Sequence, residues 1–294
     1  MRKFQALSIS ALAVGLFAIA ACASGPSTAA TSAAPAVPAK VAKTRTVVTK
    51  VPVLVKESAF YSDGLLDGYT VYKLDDNKQL VEKSKFDASR PEPTERTVFE
   101  YKDGRESAES LYESDGKLRS RREFGYDPAG RMASERLTDA KGVALSSSSY
   151  AYDDKGRKTE WRVLDASGAA KAVTTYSYGP DGLALVEMRD SGGQLSGTIK
   201  SEYEGGKLAR RVYAGPSGEV QKTEVYAYPD AGPSPASMEI RKADGSVIAK
   251  TGYEYGSSGE VVKATEYLPS GATSSYTTYE YVVKDVSSTE IYYE

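Results

Sequence analysis

Histidine is absent from the 294 residues of this chain, and cysteine occurs once, at position 22. Serine–histidine and cysteine–histidine catalysis, histidine metal sites and histidine pH switches are therefore excluded, because each requires an imidazole. The groups that remain for chemistry are carboxylates, lysines, tyrosines and serines. Many of the carboxylates lie in glycine-containing, turn-like segments, where a short acidic side chain accepts hydrogen bonds from nearby backbone N–H groups. The sequence therefore predicts no catalytic residue, no metal site and no cofactor.

Cys22 is the candidate for covalent modification. A basic start and the mostly apolar run Phe4–Ala21 precede it, which is the arrangement of a secretory signal. The motif Ile19–Cys22 resembles the lipobox of bacterial lipoproteins. The resemblance implies a diacylglyceryl thioether on Cys22, cleavage before it, and a lipid bilayer as the partner of the acyl chains. The alternative is an ordinary secreted protein that keeps a free thiol.

The residues after the cysteine predict the location and the organisation of the chain. Ala23 and Ser24 follow it, and by the same resemblance the lack of aspartate there favours the outer membrane, with the protein exposed to the periplasm or to the cell surface. An Ala/Pro/Thr-rich tract follows, without a periodic apolar face that could offset the entropy of ordering. The predicted segments are a signal peptide at 1–21, a lipidated disordered tether at 22–45, degenerate capping hairpins at 46–98 and an eight-unit repeat at 99–294.

Charge excludes one class of partner. The chain carries 38 basic and 40 acidic residues, and two of the basic ones leave with the signal peptide. Nucleic-acid binding requires a strongly basic surface, so we expect no nucleic-acid partner. The local basic clusters at 119–122 and 210–211 are expected to lie on solvated strand faces.

A tyrosine returns eight times at intervals of 25 to 27 residues, and in seven of the eight cases an aromatic residue lies two positions earlier. A fixed period of this length indicates a repeat architecture. Two runs rich in Tyr, Thr and Val alternate with two glycine-containing turns in each period, which predicts one β-hairpin per unit. The fold class is therefore all-β, with antiparallel hairpins forming an extended, twisted single sheet or an open, coiled, solenoid-like sheet. The repeated tyrosines are Tyr101, Tyr126, Tyr152, Tyr178, Tyr203, Tyr228, Tyr255 and Tyr281.

Glycines recur at two positions of the units, where we expect positive φ angles that glycine adopts without steric cost. Aspartates near several of them are expected to bond to the local backbone as turn formers, not to act as acids. Two proline-containing segments, Asp87–Glu95 and Pro229–Pro235, are predicted to be loop insertions. The glycines are Gly104, Gly116, Gly130, Gly142, Gly156, Gly168, Gly182, Gly193, Gly206, Gly218, Gly245, Gly259 and Gly271, and the aspartates are Asp103, Asp115, Asp153, Asp181 and Asp244.

Short segments of these units resemble sequence motifs of two known families. The segment Phe124–Met132 resembles the Tyr-x-Tyr-Asp-x-x-Gly-Arg-Leu core of YD repeats, which are found in Rhs and teneurin proteins, and Tyr150–Arg157 resembles it equally. The segment Leu111–Leu118 is similar to the Tyr-x-x-Gly-Lys-Leu phrase of MORN-like hairpin repeats. Both resemblances imply a chain of β-hairpins.

The tyrosine pairs are the candidate binding surface. Residues two apart on a strand share a face, so the pairs of successive units are expected to form a ladder of rings. Tyrosine offers a large contact area and a polar hydroxyl, which suits recognition. The alternative is that the rings only pack against one another and hold the sheet together. The surface comprises Tyr150, Tyr152, Tyr176, Tyr178, Tyr226, Tyr228, Tyr253 and Tyr255.

Four functions are weighed against these observations. The favoured one is a membrane-anchored, non-catalytic lipoprotein whose tyrosine-rich sheet binds an unknown protein or glycan in the cell envelope. A toxin-associated shell of the Rhs type is disfavoured, since only thirteen residues follow Tyr281. A carboxylate-based glycan hydrolase is disfavoured, because the sequence singles out no carboxylate pair. A membrane-spanning barrel is disfavoured, because charged residues are expected on both faces of the strands.

Overall fold

The computed structural model of this chain describes residues 42–229 and 232–293, and every regular element within them is a β-strand. The prediction of an all-β chain is therefore confirmed. The predicted signal peptide, Cys22 and most of the predicted tether lie outside the described residues. In the part of the chain that the structure describes, no helix is long and apolar enough to cross a membrane.

Eighteen strands follow one another along these residues. Sixteen of them have six to ten residues, whereas β1 has 20 and β18 has 21. The strands are β1 (Ala42–Tyr61), β2 (Leu66–Leu74), β3 (Leu80–Asp87), β4 (Glu95–Lys102), β5 (Arg105–Glu113), β6 (Leu118–Tyr126), β7 (Met132–Asp139), β8 (Ala144–Tyr152), β9 (Lys158–Asp165), β10 (Ala170–Tyr178), β11 (Leu183–Asp190), β12 (Leu195–Glu204), β13 (Lys207–Ala214), β14 (Val220–Ala227), β15 (Ser237–Lys242), β16 (Val247–Tyr255), β17 (Val261–Tyr267) and β18 (Thr273–Tyr293).

Each strand pairs antiparallel with the next one in sequence, from β1–β2 to β17–β18. The prediction of repeated antiparallel hairpins is confirmed. The expected open sheet is replaced by a closed one, because β18 also pairs with β1. At this seam Lys56 Nζ lies 3.2 Å from Glu280 Oε1, and the rings of Phe60 and Tyr276 stack with centroids 4.8 Å apart. Closure satisfies backbone groups that an open sheet would leave unpaired along its edges.

The curvature that closes the sheet comes from irregularities at the hairpin ends. A register shift occurs in every sequential strand pair except β3–β4 and β14–β15. Those two pairs flank the two connections that the sequence predicts as proline-containing loops. A bulge bends its strand and increases the local twist, so repeated bulges coil a sheet until its ends meet.

Two compact units divide the described chain. The segment Thr46–Thr289 forms the closed barrel, and the predicted capping hairpins at 46–98 are part of it. The second unit contains the start of β1 and the end of β18, where Arg45 Nη2 lies 2.7 Å from Glu290 Oε2. β1 begins at Ala42, inside the segment 22–45 that the sequence assigns to the tether.

A closed barrel of eighteen strands is wide enough to enclose a lumen, and this one has almost no apolar core. Eighteen strands at a spacing of about 4.8 Å and a tilt of about 40° give a backbone diameter on the order of 35 Å. Among the described residues, Ala108 and Val186 are the only buried apolar side chains. A packed sandwich would bury most of the apolar residues on its inner faces. The stability of this barrel therefore rests on backbone ladders and cross-strand pairs, with little contribution from a core.

The two faces of the sheet differ in exposure. In the middle of β4–β16, side chains on the face that carries the tyrosine pairs are buried or half-buried. On the opposite face long side chains such as Glu100, Glu123 and Arg162 are exposed, whereas the short side chains of Ala108 and Ser110 are buried. Side chains converge on the concave side of a barrel and diverge on the convex side, so the tyrosine-bearing face lines the lumen. We call it the lumenal face, and the opposite face the outer face.

The turns follow the sequence prediction closely. All thirteen glycines expected to have positive φ do so. Asp153 illustrates the turn formers: its Oδ1 accepts hydrogen bonds from the backbone N–H groups of Lys155 (3.0 Å) and Arg157 (2.8 Å), while Gly156 between them has φ of 77°. The same role is confirmed for Asp115 and Asp244.

Candidate functional site

The eight repeated tyrosines share one hydrogen bond. Each hydroxyl donates to the backbone carbonyl of a residue 20 or 21 positions earlier, within two residues of the start of the preceding strand, over 2.7 to 3.1 Å. In the fourth of these units β9 and β10 make their last ladder pair at Glu160–Thr175, and Tyr178 then bonds to the carbonyl of Lys158. The hydroxyl thus satisfies a carbonyl beyond the end of the ladder. We call this bond the tyrosine staple.

An aspartate and an arginine support the staple in two units. Asp127 accepts bonds from the backbone N–H of Arg131 (2.8 Å) and from its Nε (2.7 Å), and the guanidinium lies 4.8 Å from the ring centroid of Tyr152. Asp153 and Arg157 repeat this arrangement, with Arg157 4.4 Å from the ring of Tyr178. Backbone and guanidinium N–H groups lower the pKa of both carboxyls. The Tyr-Asp-x-x-Gly-Arg motif therefore has a structural role: its arginine connects the turn in which it lies to the repeated tyrosine of the following unit.

The first aromatic of several units bonds to a lumenal carboxylate. Tyr150 donates to Glu135 Oε2 and Tyr226 to Glu224 Oε2, each over 3.0 Å. Tyr72, on a capping strand, donates to Glu57 in the same way. Burial and the neighbouring Glu135 carboxylate raise the pKa of Tyr150 to about 12, so its hydroxyl stays protonated and remains a donor.

Charged groups lie beside the tyrosines on the lumenal face, and we call these tyrosines and charged side chains together the lumenal band. The guanidinium of Arg122 bridges two carboxylates, with Nη1 2.8 Å from Glu109 Oε1 and Nε 2.9 Å from Glu135 Oε1. Burial, with a smaller contribution from Glu109, raises the pKa of the nearby Glu106 carboxyl to about 7. The sequence analysis did not identify these carboxylates. Glu224 lies two residues before Tyr226 on one strand, so alternation alone places it on the tyrosine-bearing face, whereas the position of Glu135 requires the β7–β8 register.

Lys158 extends into the band between two rings of the candidate surface. Its Nζ lies 4.6 Å from the ring centroid of Tyr176 and 5.7 Å from that of Tyr150. Burial lowers the pKa of its ammonium. Trp161 lies directly opposite Tyr150 in the β8–β9 ladder, on the same face of the sheet.

The structure divides the eight tyrosines of the candidate surface into two groups. Four lie on β8 and β10. Of the other four, Tyr226 is on β14, Tyr228 directly follows that strand, and Tyr253 and Tyr255 are on β16 with ring centroids 6.4 Å apart. Between the groups, on β12, Ser201 stands where the other units have the first aromatic. All eight side chains belong to the lumenal face. Second members such as Tyr152 use their hydroxyls in staples, which leaves their ring edges and the first members to face the lumen.

The described residues contain no group of three or more histidine, cysteine, aspartate or glutamate side chains placed to hold a metal ion. A shallow groove of about 500 Å³ lies on the outer face over β15–β17, lined by Ser237, Glu239, Lys250 and Tyr267. The lumenal band is therefore the richest arrangement of aromatic and charged side chains in the part of the molecule that is described.

Comparisons with known proteins identify no family. No protein-family model matches the chain. No curated protein matches it. Among solved structures, the chain is similar to a Photorhabdus luminescens Tc holotoxin pore, with 15% identity and a TM-score of 0.35 over 71% of this chain and 12% of that chain. It is also similar to a porin-like protein from Bacteroides uniformis, with 13% identity and a TM-score of 0.44 over 78% of this chain and 98% of that chain. A third likeness is to a putative exported protein with a YmcC-like fold from Bacteroides fragilis, with 11% identity and a TM-score of 0.22 over 79% of this chain and 94% of that chain.

The tyrosine staple predicts a difference between two neighbouring hydroxyls. Tyr178→Phe removes the donor to the Lys158 carbonyl, and we expect the free energy of unfolding to fall by about 1–2 kcal/mol. Tyr176→Phe is the matched control, since the Tyr176 hydroxyl makes no hydrogen bond among the described residues, and it should cost less than about 0.5 kcal/mol. Urea denaturation of the two variants measures both. Equal losses would contradict a specific role for the staple.

Proposed function

We propose that this protein is a non-catalytic lipoprotein of the cell envelope, anchored by an acylated Cys22 in the outer membrane, whose barrel binds a polar ligand in its lumen. The observation that carries the proposal is a closed barrel of eighteen strands that has almost no apolar core and carries rows of half-buried tyrosines on the face assigned to the lumen. A barrel built only for stability would pack its interior. Barrels of 16 to 18 strands instead leave an aqueous space.

The chemistry of the lumenal face supports a glycan or a protein segment as the ligand. Tyrosine rings offer flat apolar area, while hydroxyls, carboxylates and guanidinium groups offer hydrogen bonds that fix orientation. The Tyr150–Glu135 and Tyr226–Glu224 pairs place both kinds of group side by side. The charge balance disfavours nucleic acid as the ligand, since acidic residues outnumber basic ones.

The outer face supports an anchor that is separate from the barrel. Ion pairs such as Arg121–Glu100 (2.5 Å) and Lys263–Glu254 (3.3 Å) lie on it, together with exposed single charges. Charged side chains are costly in hydrocarbon, so acyl chains on Cys22 would make the contact with the bilayer while the barrel stays in water.

One observation favours a second function, a carboxylate-based glycan hydrolase. The Glu106 carboxyl has its pKa raised to about 7, as a general acid requires. Its neighbour Glu109 is held by Arg122 at 2.8 Å, as a structural ion pair would be. A glycosidase needs its second carboxylate free to attack or to activate water, so binding without hydrolysis is the better supported function.

Lumenal binding is tested by photo-crosslinking in intact cells. A benzoylphenylalanine at Tyr253 faces the lumen, whereas the same group at Glu254, the next residue of β16, is on the outer face. We expect illumination to join envelope material to position 253 and not to 254. Adducts only from position 254, or none from either, would contradict a binding lumen.

The anchor is tested with two variants. Cys22→Ala should remove the acyl group that metabolic labelling with palmitate detects and should release the protein from the membrane fraction. Ser24→Ala should leave the label and the membrane association unchanged. A labelled or membrane-bound Cys22→Ala protein would overturn the anchor. Protease added to intact cells, followed through a tag near Ser234, then distinguishes the cell surface from the periplasm.

A further inference from the structure

Lys158 differs from the other cations of its neighbourhood. Arg122, Arg131 and Arg157 each lie within 2.9 Å of a carboxylate oxygen. The Lys158 ammonium is half-buried on the lumenal face, and no carboxylate of the described residues lies within ion-pair distance of it. Its contacts are the faces of Tyr150 and Tyr176. A partly desolvated charge without a counter-charge is costly unless something else neutralises it.

Two further polar groups, one on β10 and one on β9, make no hydrogen bond with the described residues. The Tyr176 hydroxyl, on the ring nearest the ammonium, bonds to no described residue. The indole Nε1 of Trp161 is buried without a partner, three residues along β9 from Lys158. The Tyr176 hydroxyl next to an ammonium without a carboxylate partner leaves two donors that can bind an acceptor from solution. The acceptor that suits an ammonium together with neutral donors is an anion.

The aromatic rings indicate which class of molecule bears the anionic group. Tyr150 and Tyr176 flank the ammonium, and Trp161 lies opposite Tyr150, so the ammonium lies among flat apolar surfaces. A pyranose ring has an apolar C–H face that packs on an aromatic ring, and a uronic acid adds a carboxylate at the edge of that ring. An acidic peptide supplies carboxylates on flexible chains and leaves the flat surfaces without a matching partner.

We propose that Lys158, Tyr150 and Tyr176 form a lumenal binding site for a carboxylated sugar unit of a glycan chain. The ammonium pairs with the sugar carboxylate, a tyrosine ring packs on the pyranose face, and the Tyr176 hydroxyl donates to a ring substituent. This inference rests on the proposed lumenal binding function and names its ligand class.

The fluorescence of a tryptophan at this site can report ligand binding. Trp161 is the only tryptophan, and it lies across the ladder from Tyr150. An oligomer of galacturonic acid, titrated into the purified full-length protein, should change the Trp161 emission in a saturable manner. The change should weaken with added salt, because the ammonium–carboxylate pair is screened. A neutral galactose oligomer should produce no change at the same concentrations.

Two lysine variants identify the group responsible. Lys158→Met keeps the length of the side chain and removes the charge, and we expect the dissociation constant for the uronate oligomer to rise about tenfold or more. Lys155→Met removes an exposed lysine from the adjoining turn and should bind like the unaltered protein. Lys158→Arg should retain part of the affinity. Far-ultraviolet circular dichroism and the melting temperature check that the variants are folded.

Several results would overturn the site. If Lys158→Met and the unaltered protein bind the uronate oligomer with equal affinity, the lysine does not take part in binding. Tighter binding of oligoglutamate than of the uronate oligomer would make the ligand an acidic peptide. If neutral galactose oligomers bind more tightly than the uronate oligomer, the carboxylate is not what the site recognises. Crosslinking at position 253 does not depend on Lys158, so adducts there without uronate binding would contradict this site alone and leave lumenal binding in place.

Discussion

The seam between β1 and β18 is the contact on which the rest of the barrel depends. A single sheet of paired hairpins has no second layer to pack against, and without the seam both of its end strands would expose unpaired backbone groups. The seam joins Lys56 to Glu280 and stacks Phe60 on Tyr276. Once it forms, one face becomes concave, and its tyrosines and carboxylates lose water. Burial on this face raises the pKa of Tyr150 and that of Tyr279 to about 12.

A barrel without a core must be stabilised locally. The tyrosine staples satisfy carbonyls where neighbouring strands diverge, and the Asp127–Arg131 and Asp153–Arg157 pairs fix the turns beside them. Each such bond contributes about 1 kcal/mol to the free energy of unfolding, and the same bond recurs in each unit of the barrel. Because the staples use the second tyrosine of each pair, the first members and the carboxylates beside them are left to face the lumen. Structural and binding roles are thus divided between two residues of one motif.

Local features of this fold follow from the sequence, and long-range ones do not. A period of about 26 residues and the glycine positions predict hairpins and turns, because β-turn chemistry depends on a few adjacent residues. Closure depends on bulges summed over eighteen strands, so no single segment encodes it. The pairing of Tyr150 with Glu135 requires the register between β7 and β8. The isolation of Lys158 is a property of its surroundings in space, which a lone lysine in the sequence does not reveal.

The most direct test of this account is a disulfide across the seam. In a Cys22→Ala background, Phe60→Cys and Tyr276→Cys place two thiols on facing positions of β1 and β18, where the rings stack at 4.8 Å. Facing positions of paired strands have Cα separations of about 4.5–5.5 Å, which a disulfide spans. Mild oxidation should convert the monomer to an internally crosslinked form, while Phe60→Cys with Thr175→Cys should not crosslink. If the seam pair stays reduced or links only between molecules, the sheet is open and the enclosed lumen does not exist.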